Sequence, residues 1–269
     1  MPLSESRENR ETPSMEAIYK KLDDRKKVLD GFRPLSPEQA LNLKAVFDLD
    51  QTYNSNAIEG NTLSFAETKL VLNEGITIGG KTLREHLEVI NHKEAIDYIE
   101  ELAKKATSEI TETDIKNVHA LVLRQIDKEN AGRYRQAPVY IRRGDGSTHQ
   151  FCEPIIVPEK MEFFIQWLQG ENEMHPVQLA SEAHFRLVSI HPFIDGNGRV
   201  SRLLMNLILQ QHGFPPAVIK VANRKEYLDS LEKGQTTGDQ TDFNKMIADA
   251  VGESLNLYIE AIKTNAVYR

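Results

Sequence analysis

Apolar positions along this chain recur at steps of three and four far more often than at steps of two, the period of helices that bury one face. In the stretch 81–105, Leu83, Leu87, Ile90, Ala95, Ile96 and Ile99 keep close to a 3.6-residue spacing with charges between them. They predict a surface helix that packs one side. Boundary residues agree with the period. Ser36, Pro37 and Gln39 supply an N-cap, a proline at the first helical position and a capping-box partner, and Gly60 is the matching stop signal. Ser64 with Glu67 opens a short helix that ends near Gly75, and Thr111 caps another that carries Ile115, Val118, Leu121 and Val122. Helices resume from about Pro158, again through 177–190, and once more after residue 195.

One segment departs from that period. Val139, Tyr140 and Ile141 read as a strand, Gly144, Asp145 and Gly146 as a turn, and 149–151 as the returning arm of a hairpin. Residues 1–13 are polar and charged and predict a disordered, frayed tail. The expected fold is mainly α with a small β-hairpin: a helical region over 14–110, then a core with C-terminal helices over 111–269, forming one compact unit.

Composition narrows the partners. With 33 Lys and Arg against 40 Asp and Glu, a net charge of -7, the chain lacks the basic footprint that binds a nucleic-acid backbone. Cys152 is the only cysteine, so there is no internal disulfide framework, and an ordinary thiol is its simplest reading. No apolar leader or membrane-length apolar stretch is present. The expectation is a soluble, cytoplasmic protein with neither nucleic acid nor membrane as partner.

The chemistry gathers at HPFIDGNGRVSR, residues 191–202. Pro192 disfavours helix at His191, so the preceding helix ends at or before it. Aliphatic periodicity returns at Leu203, Leu204, Leu207 and Ile208, so a new helix starts between Asp195 and Arg199 and stops near Gly213. Gly196, Asn197 and Gly198 then sit at a helix N-terminus, where free N–H groups and the helix dipole favour an anion and glycine allows close approach. Arg199 and Arg202, three apart and turned from the leucine face, point to a polyphosphate. Asp195 suits Mg²⁺, which takes one or two carboxylates and completes its shell with phosphate oxygens and water. His191 is the group able to act as a base near neutral pH.

The stretch resembles the HPFx(D/E)GN(G/K)RxxR signature of Fic-domain proteins at every specified position from His191 to Arg202, and the likeness runs over roughly 111–255. The resemblance implies a Fic-type helical bundle that transfers AMP from ATP to a Ser, Thr or Tyr hydroxyl of a protein, the chain itself included. It further implies His191 as base, Asp195 as holder of Mg²⁺ or Mn²⁺, and Gly196, Asn197 and Gly198 around the phosphates. Arg199 would meet the β-phosphate region and Arg202 the γ-phosphate, with Tyr227 and Asn223 on the adenine side. His184 also looks like a family position, and its simplest role is packing. The hairpin with Val139, Tyr140 and Ile141 resembles the family's flap, where an extended target segment could add as a strand.

Ser55 and Glu59 share a helix face at i, i+4 and, with Gly60, resemble the (S/T)xxxE(G/N) inhibitory motif of Fic proteins. The implied brake is Glu59 pairing with Arg202, so that ATP binds unproductively. Three alternatives stay open: transfer of UMP or a bare phosphate, removal of AMP with Glu59 positioning water, and a non-catalytic, nucleotide-responsive regulatory module. Gly196 and Gly198 favour nucleotidyl over the phosphoryl transfer of Doc-type relatives, and an intact His191 favours an enzyme over a binding module. Self-association into a homo-oligomer is left open by the sequence.

Overall fold

The computed structural model of the chain describes residues 13–142, 146–170 and 173–264. Of the expected tail only Pro13 falls among them, and Gly144 and Asp145 of the expected turn lie outside them. The described residues form ten α-helices and one two-stranded sheet, the mainly helical fold that the periodicity predicts.

The bundle is built round α8 (Asn197–Gln211), which is buried on every side, Ser201 and Asn206 as well as Leu203, Met205, Leu207 and Ile208. Helices α7 (Pro176–Ile190), α5 (Glu112–Val122), α4 (Leu83–Leu102) and α2 (Pro37–Ile58) all pack against it. The face carrying Arg199 and Arg202 is therefore not a solvent face: Ser55 of α2 reaches Arg202, and Glu88 of α4 lies beside Arg199. Each apolar side chain buried in this way contributes about 1.5–3 kcal/mol relative to exposure. At the other end, α1 (Met15–Asp30) packs along α10 (Thr241–Thr264), which also meets α7 and α9 (Arg224–Thr237). One apolar core thus runs from Leu22 in α1 to Ile262 in α10, with α6 (Val157–Gln169) closing it beside α7. A small satellite core of Leu63, Val71 and Val89 fixes α3 (Phe65–Glu74) to α4.

Local chemistry sets the boundaries. Ser36, Ser64, Thr82 and Thr111 each accept the N3 backbone N–H, and Gln39, Glu67, Glu85 and Asp114 return the capping-box bond. The expected inner face of α4 holds only in its second half, where Ala95, Ile96 and Ile99 are buried. In the first half Leu83 is 73% and Ile90 39% exposed, and polar residues turn inward instead. They do so because their neighbours are polar. His86 Nε2 accepts the Ile78 N–H at 2.8 Å, Asn91 donates to Arg124 O at 2.6 Å, and His92 Nδ1 lies 3.3 Å from Thr52 Oγ1.

The hairpin pairs β1 (Tyr140–Arg142) with β2 (Thr148–Gln150) antiparallel, Ile141 opposite His149. Its strands lie one residue from the expected ones. Val139 falls outside β1 as paired, although its carbonyl accepts the Phe151 N–H at 3.2 Å and prolongs the ladder toward the bundle.

Candidate active site

The turn between α7 and α8 carries the reactive groups. Its first residue, His191, is left-handed at φ 54°, ψ 58°, a conformation that costs a non-glycine residue about 1–2 kcal/mol. Arg135 holds it there. Buried Arg135 donates from Nε to His191 O at 2.8 Å and from its backbone N–H to Pro192 O at 3.0 Å. The same guanidinium donates to Cys152 O, so it ties the base of the hairpin to the turn. The His191 ring stacks on Phe151, centroids 3.9 Å apart and planes 12° from parallel. Its Nδ1 lies 3.2 Å from Val188 O, a donor's position, which leaves the lone pair on Nε2. Burial lowers the imidazole pKa to about 4, outweighing the Val188 bond, and nearby Arg135 adds to the fall. At neutral pH the ring is an uncharged base. Cys152, half-buried, places Sγ 3.5 Å from Ile190 O and belongs to the same junction.

Beyond His191 the loop is locked from inside. Asn197 Oδ1 accepts the Phe193 N–H at 2.9 Å, and its Nδ2 donates to Phe193 O at 2.8 Å. Both polar ends of that side chain are thus committed to the loop, and its backbone is what remains for an anion. Gly196, at φ 81°, is the N-cap of α8. His119 supports this turn from below: Nδ1 accepts the Gly132 N–H, Nε2 lies 3.0 Å from Asp195 O, and the ring stacks on Phe193.

Asp195 is the one carboxylate on the loop. Burial pushes its carboxyl pKa up, but Arg199, the Gly196 N–H and Arg84 together pull it below the ordinary value, so it is ionised. Among the described residues no group of three or more His, Cys, Asp or Glu stands ready for a metal. One ionised carboxylate fits Mg²⁺ or Mn²⁺ only where a substrate's phosphates complete the shell.

Arg202 is buried and fully engaged. Its Nε donates to Ser55 Oγ and its Nη2 to Ser55 O, both at 2.9 Å, while Nη2 also meets Glu59 Oε1 at 2.7 Å and Nη1 meets Tyr227 OH at 3.3 Å. Burial opposes the charge, yet Glu59 and Tyr227 hold the Arg202 pKa above its ordinary value. Behind it, Tyr227 OH lies 2.9 Å from His184 Nε2. His184 does pack, against Phe243, but it also ends this chain of hydrogen bonds, which packing alone does not describe.

A cavity of about 1010 Å³ opens over these groups, and His191, Gly198, Arg202, Glu59 and Tyr227 all line it, with Ile141 and Arg142 of the hairpin. Several expected residues are not on its wall. Val139, Tyr140, Ser55, Asp195, Gly196 and Asn197 do not line it, Asn223 lies exposed on a 3-10 turn, and Arg199 faces Asp195 and Glu88. Gln235 lines it instead, hydrogen-bonded to Ser189 Oγ at 3.1 Å. Arg135, His119, Gln235 and Arg84 carry no local signal in the sequence, since each acts through a contact far along the chain.

Comparison with known proteins places this geometry. The profile of the Fic/DOC family matches residues 109–209, the segment from α5 through most of α8. A Fic-domain signalling protein of Bacteroides thetaiotaomicron superposes with a TM-score of 0.84 at 30% identity, covering 94% of this chain and 99% of that one. The chain belongs to the Fic/DOC family. A fragment of Caenorhabditis elegans Fic-1 is similar to this Fic chain at TM-score 0.81 and 36% identity, over 93% of this chain and 74% of that one. The C. elegans protein named "Protein adenylyltransferase fic-1" is 37% identical over 263 residues, 96% of this chain and 50% of that protein. The chain thus spans about half the length of the curated relatives it matches.

Proposed function

We propose that this Fic chain is a protein adenylyltransferase whose resting form is held inactive by Glu59. The observation that carries the reading is that His191, the N-terminal turn of α8 at Gly198, and Arg202 all face one cavity walled by the hairpin. A polyphosphate at Gly198 has the free N–H groups of the helix start and the Arg202 guanidinium as partners. Asp195 would hold a divalent cation together with the phosphate oxygens, supplying charge neutralisation there. His191 Nε2 takes the proton of a target's Ser, Thr or Tyr hydroxyl as that oxygen bonds to the α-phosphorus, and the bond to the bridging oxygen breaks to release pyrophosphate. Such catalysis is mostly positioning and charge stabilisation, which suits a rigid loop and a base fixed by stacking. The outer hairpin offers an edge for an extended target segment.

Glu59 supports the resting half of the proposal. Its carboxylate occupies the Arg202 guanidinium at 2.7 Å, and its Oε1 would lie 2.3 Å from a β-carbon on Gly198, so it fills the position where a terminal phosphate needs to sit. One charge-assisted contact contributes about 1.5–3 kcal/mol, or roughly 10- to 150-fold. Incorporation of label from α-phosphate-labelled ATP with Mg²⁺, into the protein itself and into a lysate, tests both halves. Label is expected to rise at least ten-fold in Glu59→Gly and to vanish in His191→Ala. Silence from every variant with ATP, UTP, GTP and CTP would overturn transfer; equal label in parent and Glu59→Gly would overturn the brake. Glu59 also lines the cavity; were it to position a water there, loss of label from premodified protein is the sign of AMP removal.

A further inference from the structure

Asp195 does not meet its surroundings alone. Its Oδ1 accepts the Gly196 N–H at 2.6 Å and lies 3.3 Å from Arg199 Nη2, while its Oδ2 accepts from Arg84 Nη2 at 2.7 Å. Arg84 stands in the first turn of α4, and its Nε donates to Glu88 Oε1 at 3.1 Å. Glu88 Oε1 in turn lies 3.6 Å from Arg199 Nη1. Two carboxylates and two guanidiniums therefore close a ring of alternating charge.

The two arginines are not equivalent. The Arg199 side chain is 2% exposed, and its Nε and Nη1 have no hydrogen-bond acceptor among the described residues; the Arg84 side chain is 56% exposed. One is fixed in the fold and the other can swing into solvent without opening the core. The same asymmetry divides the Asp195 oxygens. Oδ1 is held by a backbone N–H that cannot leave, so Oδ2 is the oxygen able to take up a hard cation, and Arg84 occupies it.

We propose that Arg84 is a resident counter-charge on Asp195 which a divalent cation has to displace, so that cation uptake is controlled separately from the Glu59 contact. The proposal rests on the reading of Asp195 as the cation's protein ligand. A half-exposed ion pair of this kind is a modest competitor, worth about a two- to five-fold change in occupancy at the opposing site. That size suits a trimming control and not a lock.

The test is Mn²⁺ binding, followed by the electron paramagnetic resonance of free Mn²⁺, to protein carrying α,β-methylene-ATP, whose α–β bridge the proposed transfer cannot break. It uses the Glu59→Gly background, with nucleotide below protein concentration. Arg84→Ala is expected to lower the Mn²⁺ half-saturation about two- to five-fold, while Arg84→Lys, which keeps the charge, stays nearer the parent. Asp195→Ala is the control and is expected to raise it ten-fold or more. If Asp195→Ala weakens Mn²⁺ but Arg84→Ala leaves the half-saturation unchanged or higher, the Arg84 proposal is overturned on its own. If Asp195→Ala has no effect, the reading of Asp195 falls first and carries the proposal with it. Thermal melting checks that Arg84→Ala, a change at an exposed side chain, keeps the fold.

Discussion

A β-carbon on Gly198 would lie 2.3 Å from Glu59 Oε1 and 3.1 Å from Arg202 Nη1, so this position needs room, whereas Gly196 with its φ of 81° needs a left-handed backbone. The distinction can be measured. Gly198→Ala is expected to cost about 1 kcal/mol of stability in the parent, by pushing Glu59 off Arg202, and markedly less in the Glu59→Gly background. Urea denaturation of the four proteins of that double-mutant cycle gives the answer, and an equal cost in both backgrounds would show that Glu59 does not set the requirement. The residues of the loop were readable in the sequence because helix starts, glycines and arginines act over a few positions. What stands behind them was not. Arg135 reaches His191 across 56 positions and Arg84 reaches Asp195 across 111, and no local pattern encodes such neighbours; the contact of Ser55 and Glu59 with Arg202, across 147 and 143, was implied only by the motif resemblance.

Among the elements, α2 is the one whose buried face is largely polar: Asp48, Gln51, Thr52, Asn54, Ser55 and Asn56 are all covered. Its caps and length were plain from Ser36, Pro37 and Gly60, and the resemblance implied that its end meets Arg202, but the buried polar face along the rest of it was not legible, because polar residues carry no periodic signal for burial. That face meets α4, where Asn56 donates to Glu88 O at 3.3 Å, and α8 with the segment after it. Asn206 donates to Gln51 at 2.8 Å, and Asn54 Oδ1 accepts the Val221 N–H at 2.9 Å. Such an interface gains less from docking than an apolar one of equal area and loses less on release. Ser55 is the second hand of α2 on Arg202. Ser55→Ala removes one of two contacts, that from Nε, and leaves the Ser55 carbonyl in place. It is therefore expected to raise label incorporation about two- to ten-fold, less than Glu59→Gly, at one hydrogen bond of about 0.5–1.5 kcal/mol. Activity of Ser55→Ala at the level of the parent would leave Glu59 as the whole of the contact. For α4 the opposite lesson holds: a clean apolar period predicted the wrong inner face in its first half, since its neighbours there are arginines, a capping loop and Thr52.

At the scale of the whole molecule, the bundle keeps several histidines neutral inside it. Burial lowers His92 to about 3 and His119 to about 4, and takes His184 well below the ordinary 6.5. Above pH 6.5 folded and unfolded chains both hold these rings neutral, and nothing is gained or lost. Below it the unfolded chain binds protons that the folded chain refuses, so stability falls with pH toward the folded values, by about 1.4 kcal/mol per unit for each group. His191, lowered to about 4 in the same way, is a fourth such group, and together they give about 5–6 kcal/mol per unit, enough to consume much of an ordinary domain's stability by pH 5. Urea midpoints read from Trp167, the single tryptophan, are expected to drop between pH 6.5 and 5.5, and a flat profile would refute the account. The helical class, the hairpin and the charge balance were evident in the sequence; the wrapping of α8 on all sides was not, since it is a property of the assembled bundle. That wrapping has a further consequence on the proposed reading. The end of α2 and a productively bound nucleotide compete for one guanidinium, and competition is reciprocal: each weakens the other by the same factor. Information then runs outward as well as inward, and a molecule that touches only the outer surface of α2 can sense whether ATP is seated without ever meeting it.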